Sequence, residues 1–386
     1  MRRLSAAAFA EPRVLLAGIA LSLAITPSIL RAQSTIAEAR EVIAPLVEAY
    51  GPSGHEDSVR ALVLRLLPSW AKPAVDTAGN IWVWTGPADS SAPVVFVAHM
   101  DEIGFAVSGI RADGQLTIRP LGGFFPSLFE AEPALVHTRA GPVPAVFTLR
   151  DSVGAAPRHT PASTPGQAGA QTALLIRVDP GTTDSAGTRA LGISTGDVVT
   201  MPKAFVPLAG TRATARSFDD RVGCAAQLLA LRHLDRAHLK HRVLFIFSTR
   251  EELGLNGAHA VANALGTNAV RVHALDTFVS ADAPLEVKTF ADAPLGRGAV
   301  ARAVDNSSVT PPAMLDTLVA LARAHRIALQ VGTTNGGNDG STFTRYGVPD
   351  VAIGWPLRYS HSPAEVIDLR DLVSLADITQ TIAERW

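Results

Sequence analysis

Short apolar, strand-like runs alternating with helical patterns constrain the fold of this chain more than anything else in it. Two such runs, 81–84 (IWVW) and 94–97 (VVFV), lie upstream and are separated by turn residues. In the second half, a helical pattern at 222–234 precedes the run VLFIF at 243–247. A helix at 257–265 precedes a strand at 270–275. Thr310-Pro311-Pro312 starts a helix with Leu315, Leu318, Val319 and Leu321 as its buried stripe. A strand at 351–353 and a helix at 372–382 close the pattern. Alternation of this kind predicts an α/β fold: a mostly parallel, mixed sheet covered by helices on both faces. Residues 36–50 add helical periodicity interrupted by Pro45. Ser53 and Glu56 have capping-box spacing ahead of Leu62, Leu64 and Leu67.

Between residues 104 and 207 the character changes. Short β-like pieces recur at 115–118, 134–137, 143–148, 173–178 and 198–200, separated by glycine and proline turns. The expected organisation is a catalytic α/β domain in two parts, 33–104 and 208–386. A small β-rich, barrel-like domain, 105–207, is inserted between them. Within the insert, 154–172 is rich in Ala, Pro, Gly, Ser and Thr and reads as a mobile loop.

The remaining 32 residues at the start read differently. Arg2, Arg3, Arg13 and Arg31 stand against one acid, Glu11, around an uncharged run at 14–25. That run is shorter than the roughly 20 apolar residues that span a bilayer. With Ala32 after it, the segment reads as a signal peptide cleaved near Ala32, with an uncleaved N-terminal anchor as the alternative; cleavage predicts a secreted or periplasmic protein without stable membrane insertion once the signal is removed. Removing it turns a formal net charge of −1 into an excess of acids, 34 against 30 bases. No basic surplus exists to neutralise a phosphate backbone, so nucleic acid is not the expected partner. The single cysteine, Cys224, excludes an intrachain disulfide and a cysteine-based metal site, and its apolar surroundings read as packing.

Histidines and carboxylates concentrate in five segments just past strand ends or at helix starts: His99-Met100-Asp101-Glu102, Phe218-Asp219-Asp220-Arg221, Thr249-Arg250-Glu251-Glu252, Leu275-Asp276 and Ser360-His361-Ser362-Pro363. In open α/β sheets, ligands bind beyond the carboxyl ends of the strands. Two histidines with several carboxylates and no thiolate suit a divalent ion such as zinc, manganese or cobalt. Two such ions about 3.5–4 Å apart, bridged by a carboxylate, are a common device for hydrolysis. Asp276 competes with Asp282 for one ligand position and is preferred because it follows the apolar strand directly. Asp220 and Arg221 read as a structural ion pair. Gly223 and Gly254 would allow close packing behind the metals.

AHMDEIGF, SFDDRVG, EELGLNGA and HSPAEVIDLRDL, in this order, resemble the co-catalytic metallo-aminopeptidases of the glutamyl-aminopeptidase, or tetrahedral aminopeptidase, family, some of which carry the older label endoglucanase M. GPSGHE and LGISTGDVV extend the match over nearly all of the chain after residue 32. The resemblance implies His99 and Asp276 as ligands of one metal, Asp219 as the bridge, and Glu252 and His361 as ligands of the second. It implies Glu251 as general base, Asp101 as the acid orienting His99, and a cis peptide between Asp219 and Asp220. Two divalent ions, zinc first and cobalt or manganese as alternatives, would serve hydrolysis of short peptides in a homo-oligomer.

The glycine-rich Asn335-Gly336-Gly337-Asn338-Asp339-Gly340 is either a plain turn or a similar element of the family's substrate cleft. Three features depart from the family: the signal segment, the Ala/Pro-rich loop around Pro157 to Pro165, and Thr277-Phe278 after Asp276. Two other functions remain to be weighed. A glycoside hydrolase would use two carboxylates about 5–9.5 Å apart and no metal. An inactive peptidase-like binding protein would have lost a ligand or the base.

Overall fold

A computed structural model describes residues 34–89, 91–149, 176–283 and 291–386. The signal segment and the 154–172 loop lie outside the described residues. In chain order the strands are β1 (Ala74–Val75), β2 (Ile81–Thr85), β3 (Val94–His99), β4 (Gly104–Ile110), β5 (Leu116–Leu121), β6 (Pro133–Thr138), β7 (Gly141–Phe147), β8 (Arg177–Asp179) and β9 (Val198–Thr200). They continue as β10 (Val206–Pro207), β11 (Arg212–Ala215), β12 (Val243–Ser248), β13 (Arg271–Val279), β14 (Ala299–Val304), β15 (Leu329–Thr333), β16 (Ile353–Leu357) and β17 (Glu365–Asp368).

Eight of these strands form one sheet in the order β1-β2-β12-β3-β13-β16-β14-β15. Its centre is parallel, with β3 between β12 and β13, and β13 beside β16. Antiparallel joints β2–β12 and β14–β16 make the whole sheet mixed. Alternating side chains divide the core between two faces, as the pleat of a strand requires. Phe96, Phe245, Leu275 and Ile353 face helices Ile36–Glu48, Phe218–His233 and Leu369–Arg385. Val95, Val97, Leu244 and Ile246 face helix Asn256–Leu265 and Phe343. Both sides of the central strands are therefore dry, and the expected α/β architecture is present.

The remaining expectation for the fold, a β-barrel-like body beside the sheet, also holds. Strands β4-β5-β8-β7-β6-β9 close into an antiparallel barrel. Its interior is filled by Phe105, Phe124, Phe129 and Phe147, which touch edge-to-face or tilted at centroid separations of 4.5 to 5.8 Å.

Three local expectations are corrected. Helix Ile36–Glu48 runs through Pro45 instead of breaking there, because the buried stripe Ala39, Val42, Ile43, Leu46 and Val47 continues across it. Ser53 and Glu56 form no capping box: helix Asp57–Leu66 starts at Glu56 without a side-chain cap. The Glu56 carboxylate instead accepts the amides of Gly54 (2.7 Å) and Arg250 (3.1 Å). Finally, β13 continues to Val279, so Asp276 lies inside the strand and not after it, held there by its pairing with Gly354 of β16. Among the described residues, no helix is long and apolar enough to cross a membrane.

Candidate active site

The carboxyl ends of β3, β12 and β13 come together because they are parallel neighbours, and each delivers a polar residue where its apolar run stops. His99 is the last residue of β3 and is paired with Ser248, the last of β12. Met100 donates its amide to the Ser248 carbonyl, which carries the chain on to Asp101. Asp219 arrives from the other side, in the broken first turn of helix Phe218–His233, where it and Asp220 depart from helical dihedrals. The Asp219–Asp220 peptide is cis. His361, after β16, lies in the left-handed region (φ 58°), and so does Ser217, two residues before Asp219 (φ 72°). Non-glycine residues persist in that region only where their surroundings hold them.

The two carboxylate oxygens of Asp219 face two different imidazoles. Oδ1 lies 3.2 Å from His99 Nε2, and Oδ2 lies 3.4 Å from His361 Nε2. Glu252 Oε1 is 3.3 Å from the same His361 nitrogen, and Glu251 Oε2 is 3.9 Å from His99 Nε2. Donor atoms of His99, Asp219 and Glu252 lie within 4.8 Å of one another, and so do those of His99, Glu251 and Asp276. All six residues expected around the metals therefore meet in one place. Asp282 does not: it pairs with Arg358 at 2.8 Å.

The electrostatics of this cluster call for cations. Burial raises the Glu251 carboxyl well above its ordinary value, and Asp276, Glu252 and Asp339 add to it against the pull of His99. Asp276 is pushed up to about 6, first by burial and then by Asp219, although Arg302 lies 3.7 Å away. Both imidazoles are raised well above their usual range: burial opposes the rise, but the surrounding carboxylates outweigh it. Asp219 Oδ1 is buried and accepts no hydrogen bond. Crowded carboxylates, two imidazoles and an unsatisfied buried oxygen form a nitrogen-and-oxygen donor set that fits divalent ions.

A supporting shell fixes these side chains. Asp101 Oδ1 is 3.4 Å from His99 Nδ1, and its two oxygens also accept the amides of Glu251 (3.0 Å) and Glu252 (3.2 Å). One buried carboxylate thus orients the imidazole and fixes the backbone of both glutamates. Asp220 is buried and accepts the amides of His99 and Gly223, each at 2.9 Å. It makes no ion pair with Arg221, contrary to expectation. Arg221 instead donates to the Met100 and Asp101 carbonyls and lies 3.4 Å from Glu102. Gly223 is required by space, since a Cβ there would stand 2.3 Å from Asp220 Oδ1. Gly254 meets nothing within 4 Å; its role is the turn, at φ +99°.

Three buried acids escaped the reading of the sequence although each stands inside a motif already singled out. Glu102 accepts Gly51 N (2.9 Å) and pairs with Lys203 (2.7 Å) and Arg216 (3.3 Å). Burial would raise its carboxyl, yet these cations and Arg221 hold it well below the usual range. Asp339 binds the Ser248 hydroxyl and is pushed up to about 7, first by burial and also by Asp101 and Asp276. The glycine-rich turn therefore backs the site. Glu365 accepts amides from both the Asp219 and His361 segments and is pushed up to about 8 by burial and by Asp219. The signal for all three was their place in AHMDEIGF, NGGNDG and HSPAE.

Comparison with known proteins points the same way. A family profile described as M42 glutamyl aminopeptidase matches residues 79–378. A glutamyl aminopeptidase of Lactococcus lactis is 29% identical over 345 residues, covering 87% of this chain and 93% of that protein. A lysyl aminopeptidase of Pyrococcus furiosus is 27% identical over 357 residues, covering 89% and 96%. Among solved structures, a TET1 peptidase of Pyrococcus horikoshii, described as assembling into a tetrahedron or a large octahedral shell, matches with a TM-score of 0.77 at 29% identity. That match covers 91% of this chain and all of the other.

Proposed function

The chain belongs to the M42 glutamyl aminopeptidase family and is a metal-dependent aminopeptidase, and from that premise we propose that it trims short peptides at a dinuclear site with Glu251 as general base. His99 and Asp276 would hold one ion, Glu252 and His361 the other, and Asp219 would serve both. The observation that carries this reading is Asp219, whose two oxygens face the two histidines separately. Zinc is the expected ion, and cobalt or manganese suits the same donors.

When bound, the ions supply Lewis acidity toward the scissile carbonyl and make water a better nucleophile near neutral pH. The protein does the rest. Glu251 Oε takes a proton from the attacking water as its oxygen adds to the carbonyl carbon. The same proton passes to the amide nitrogen as the C–N bond breaks, so the leaving product departs as a neutral amine and Glu251 returns to its starting state. Asp101 keeps His99 and the Glu251 backbone in register throughout. Glu251 Oε2 lies 3.9 Å from His99 Nε2, beside the residues that would hold the ions.

A panel of aminoacyl chromogenic substrates on metal-depleted protein, with zinc, cobalt and manganese added back one at a time, tests the reading. Cleavage restored by metal and confined to substrates with a free amino terminus is expected. Hydrolysis of a glycoside that survives depletion would favour the carbohydrate reading instead. All ligand and base positions are filled, which speaks against an inactive binding protein.

We also propose that residues 1–32 direct export and that the released chain assembles with copies of itself, as the Pyrococcus horikoshii peptidase is described as doing. Protein recovered from its native cells should begin near Gln33 and have a light-scattering mass several times that of one chain. An intact Met1 or a monomeric mass would reject the corresponding half.

A further inference from the structure

Glu365 opens β17 and is almost wholly buried, at 2% exposure. Its Oε2 accepts the amides of Phe218 at 2.7 Å and Asp219 at 3.4 Å, while its Oε1 accepts the amide of His361 at 3.0 Å. Both oxygens therefore act as acceptors, from two segments that approach the site from opposite sides. Those segments contain the left-handed residues Ser217 and His361, backbone conformations that need outside support. β17 is itself paired with β11 through Ala215 and Glu365, so the carboxylate starts from a fixed strand.

We infer that Glu365 is a positioning residue that clamps the backbones of Asp219 and His361 together and so sets the spacing of the bridging acid and the second histidine. This rests on the ligand assignment proposed above. Its hydrogen bonds to these two segments go to main-chain amides and not to the imidazole or the Asp219 carboxylate. The effect is predicted to be unequal. Asp219 serves both ions, but His361 serves only one, so loss of the clamp weakens the Glu252–His361 position more than the His99–Asp276 position.

Glutamine at this position keeps the shape but offers one acceptor oxygen and an NH2 group, which must face at least one of the three amides. Cobalt titration of full-length protein, followed by calorimetry and by visible absorption, reads the consequence. Wild type should bind two ions; failure to do so would sink the ligand assignment itself, separately from this inference. In Glu365→Gln the weaker of the two binding steps should lose about 10- to 100-fold in affinity, the range typical for groups supporting metal ligands. The tighter step should change less. In the loaded enzyme kcat should fall more than KM rises.

A double-mutant cycle separates positioning from general loosening. In a His361→Ala background, Glu365→Gln should have little further effect on cobalt affinity. Additive losses, or wild-type cobalt affinity in Glu365→Gln, would overturn the inference. Should that variant not fold, Glu365→Asp carries the same test. It keeps a carboxyl group but draws it back by one methylene, and a milder loss of the same step is expected. Wild-type affinity in that variant overturns the inference equally.

Discussion

Replacing Glu251 by Gln is expected to lower kcat for an aminoacyl substrate by about 10³–10⁴-fold, toward the upper end of what a positioned acid–base group contributes. The side chain keeps its size and its backbone anchor, because the amide bonded to Asp101 is that of the main chain. His99, Asp219, Glu252, Asp276 and His361 are untouched, so metal content by atomic absorption should equal that of wild type. KM should change little, since the lost function belongs to the transition state. The physical reason lies in what the substitution removes: Glu251 Oε2 stands 3.9 Å from His99 Nε2, and an amide in its place has no carboxylate to accept the proton. Turnover near the wild-type rate would remove Glu251 from the mechanism. Equal loss of metal and activity would make it a ligand rather than a base.

The second large effect concerns stability. Stripping metal should lower the melting temperature by about 10 °C. The figure assumes two ions, each at about 1,000 times its Kd, together contributing about 8 kcal/mol. The melting entropy expected for 386 residues is about 0.8 kcal/mol per degree. The structure explains why so much depends on the ions. The imidazole of His99 at the end of β3 and carboxylates from β13, the segment after β12 and helix Phe218–His233 converge within a few ångströms, and Arg302 is the cation that approaches Asp276. With the divalent charge removed, the carboxylates repel across the junction of these elements. No disulfide supports them, because Cys224 is alone and buried. Differential scanning fluorimetry before and after dialysis against a strong chelator measures the shift. An unchanged transition, with metal loss verified, would show that the core alone holds these segments.

Much of this was legible in the sequence for a simple reason. A parallel strand buried on both faces is mostly apolar, and in β3 and β12 the polar site residues appear where the strand stops. VVFVAHMDE and VLFIFSTREE therefore announce both a strand and a site. The alternation also set the two-sided core, and the glycine-rich pieces between β3 and β11 set a separate β body. What escaped depends on contacts between segments far apart in the chain. Nothing near Glu56 says that its carboxylate will hold Arg250, so a capping box looked natural. Nothing next to Arg221 says that its guanidinium will reach the Met100 carbonyl and Glu102 while Asp220 turns to the His99 amide. Glu365 looked like part of a motif, but its task is defined only when helix Phe218–His233 arrives beside it. Asp276 fell inside β13 because pairing with Gly354 extends that strand beyond its apolar run.

The buried carboxylate of Glu102 has a consequence for how such an enzyme can diversify. It stands where the chain leaves the catalytic body for the barrel, and Lys203, which it binds at 2.7 Å, stands where the chain returns. Lys203 also donates to the Ala49 carbonyl at 2.7 Å, so the return point is riveted to the same floor. Entry and exit of the barrel are thus pinned side by side, independent of the path between them. Hairpins of the barrel remote from these two points can change without breaking this clamp. The stretch at Gly122 and Gly123 cannot, because a Cβ there would meet Glu252 and the His361 ring, so freedom to vary is concentrated on the far side of the barrel.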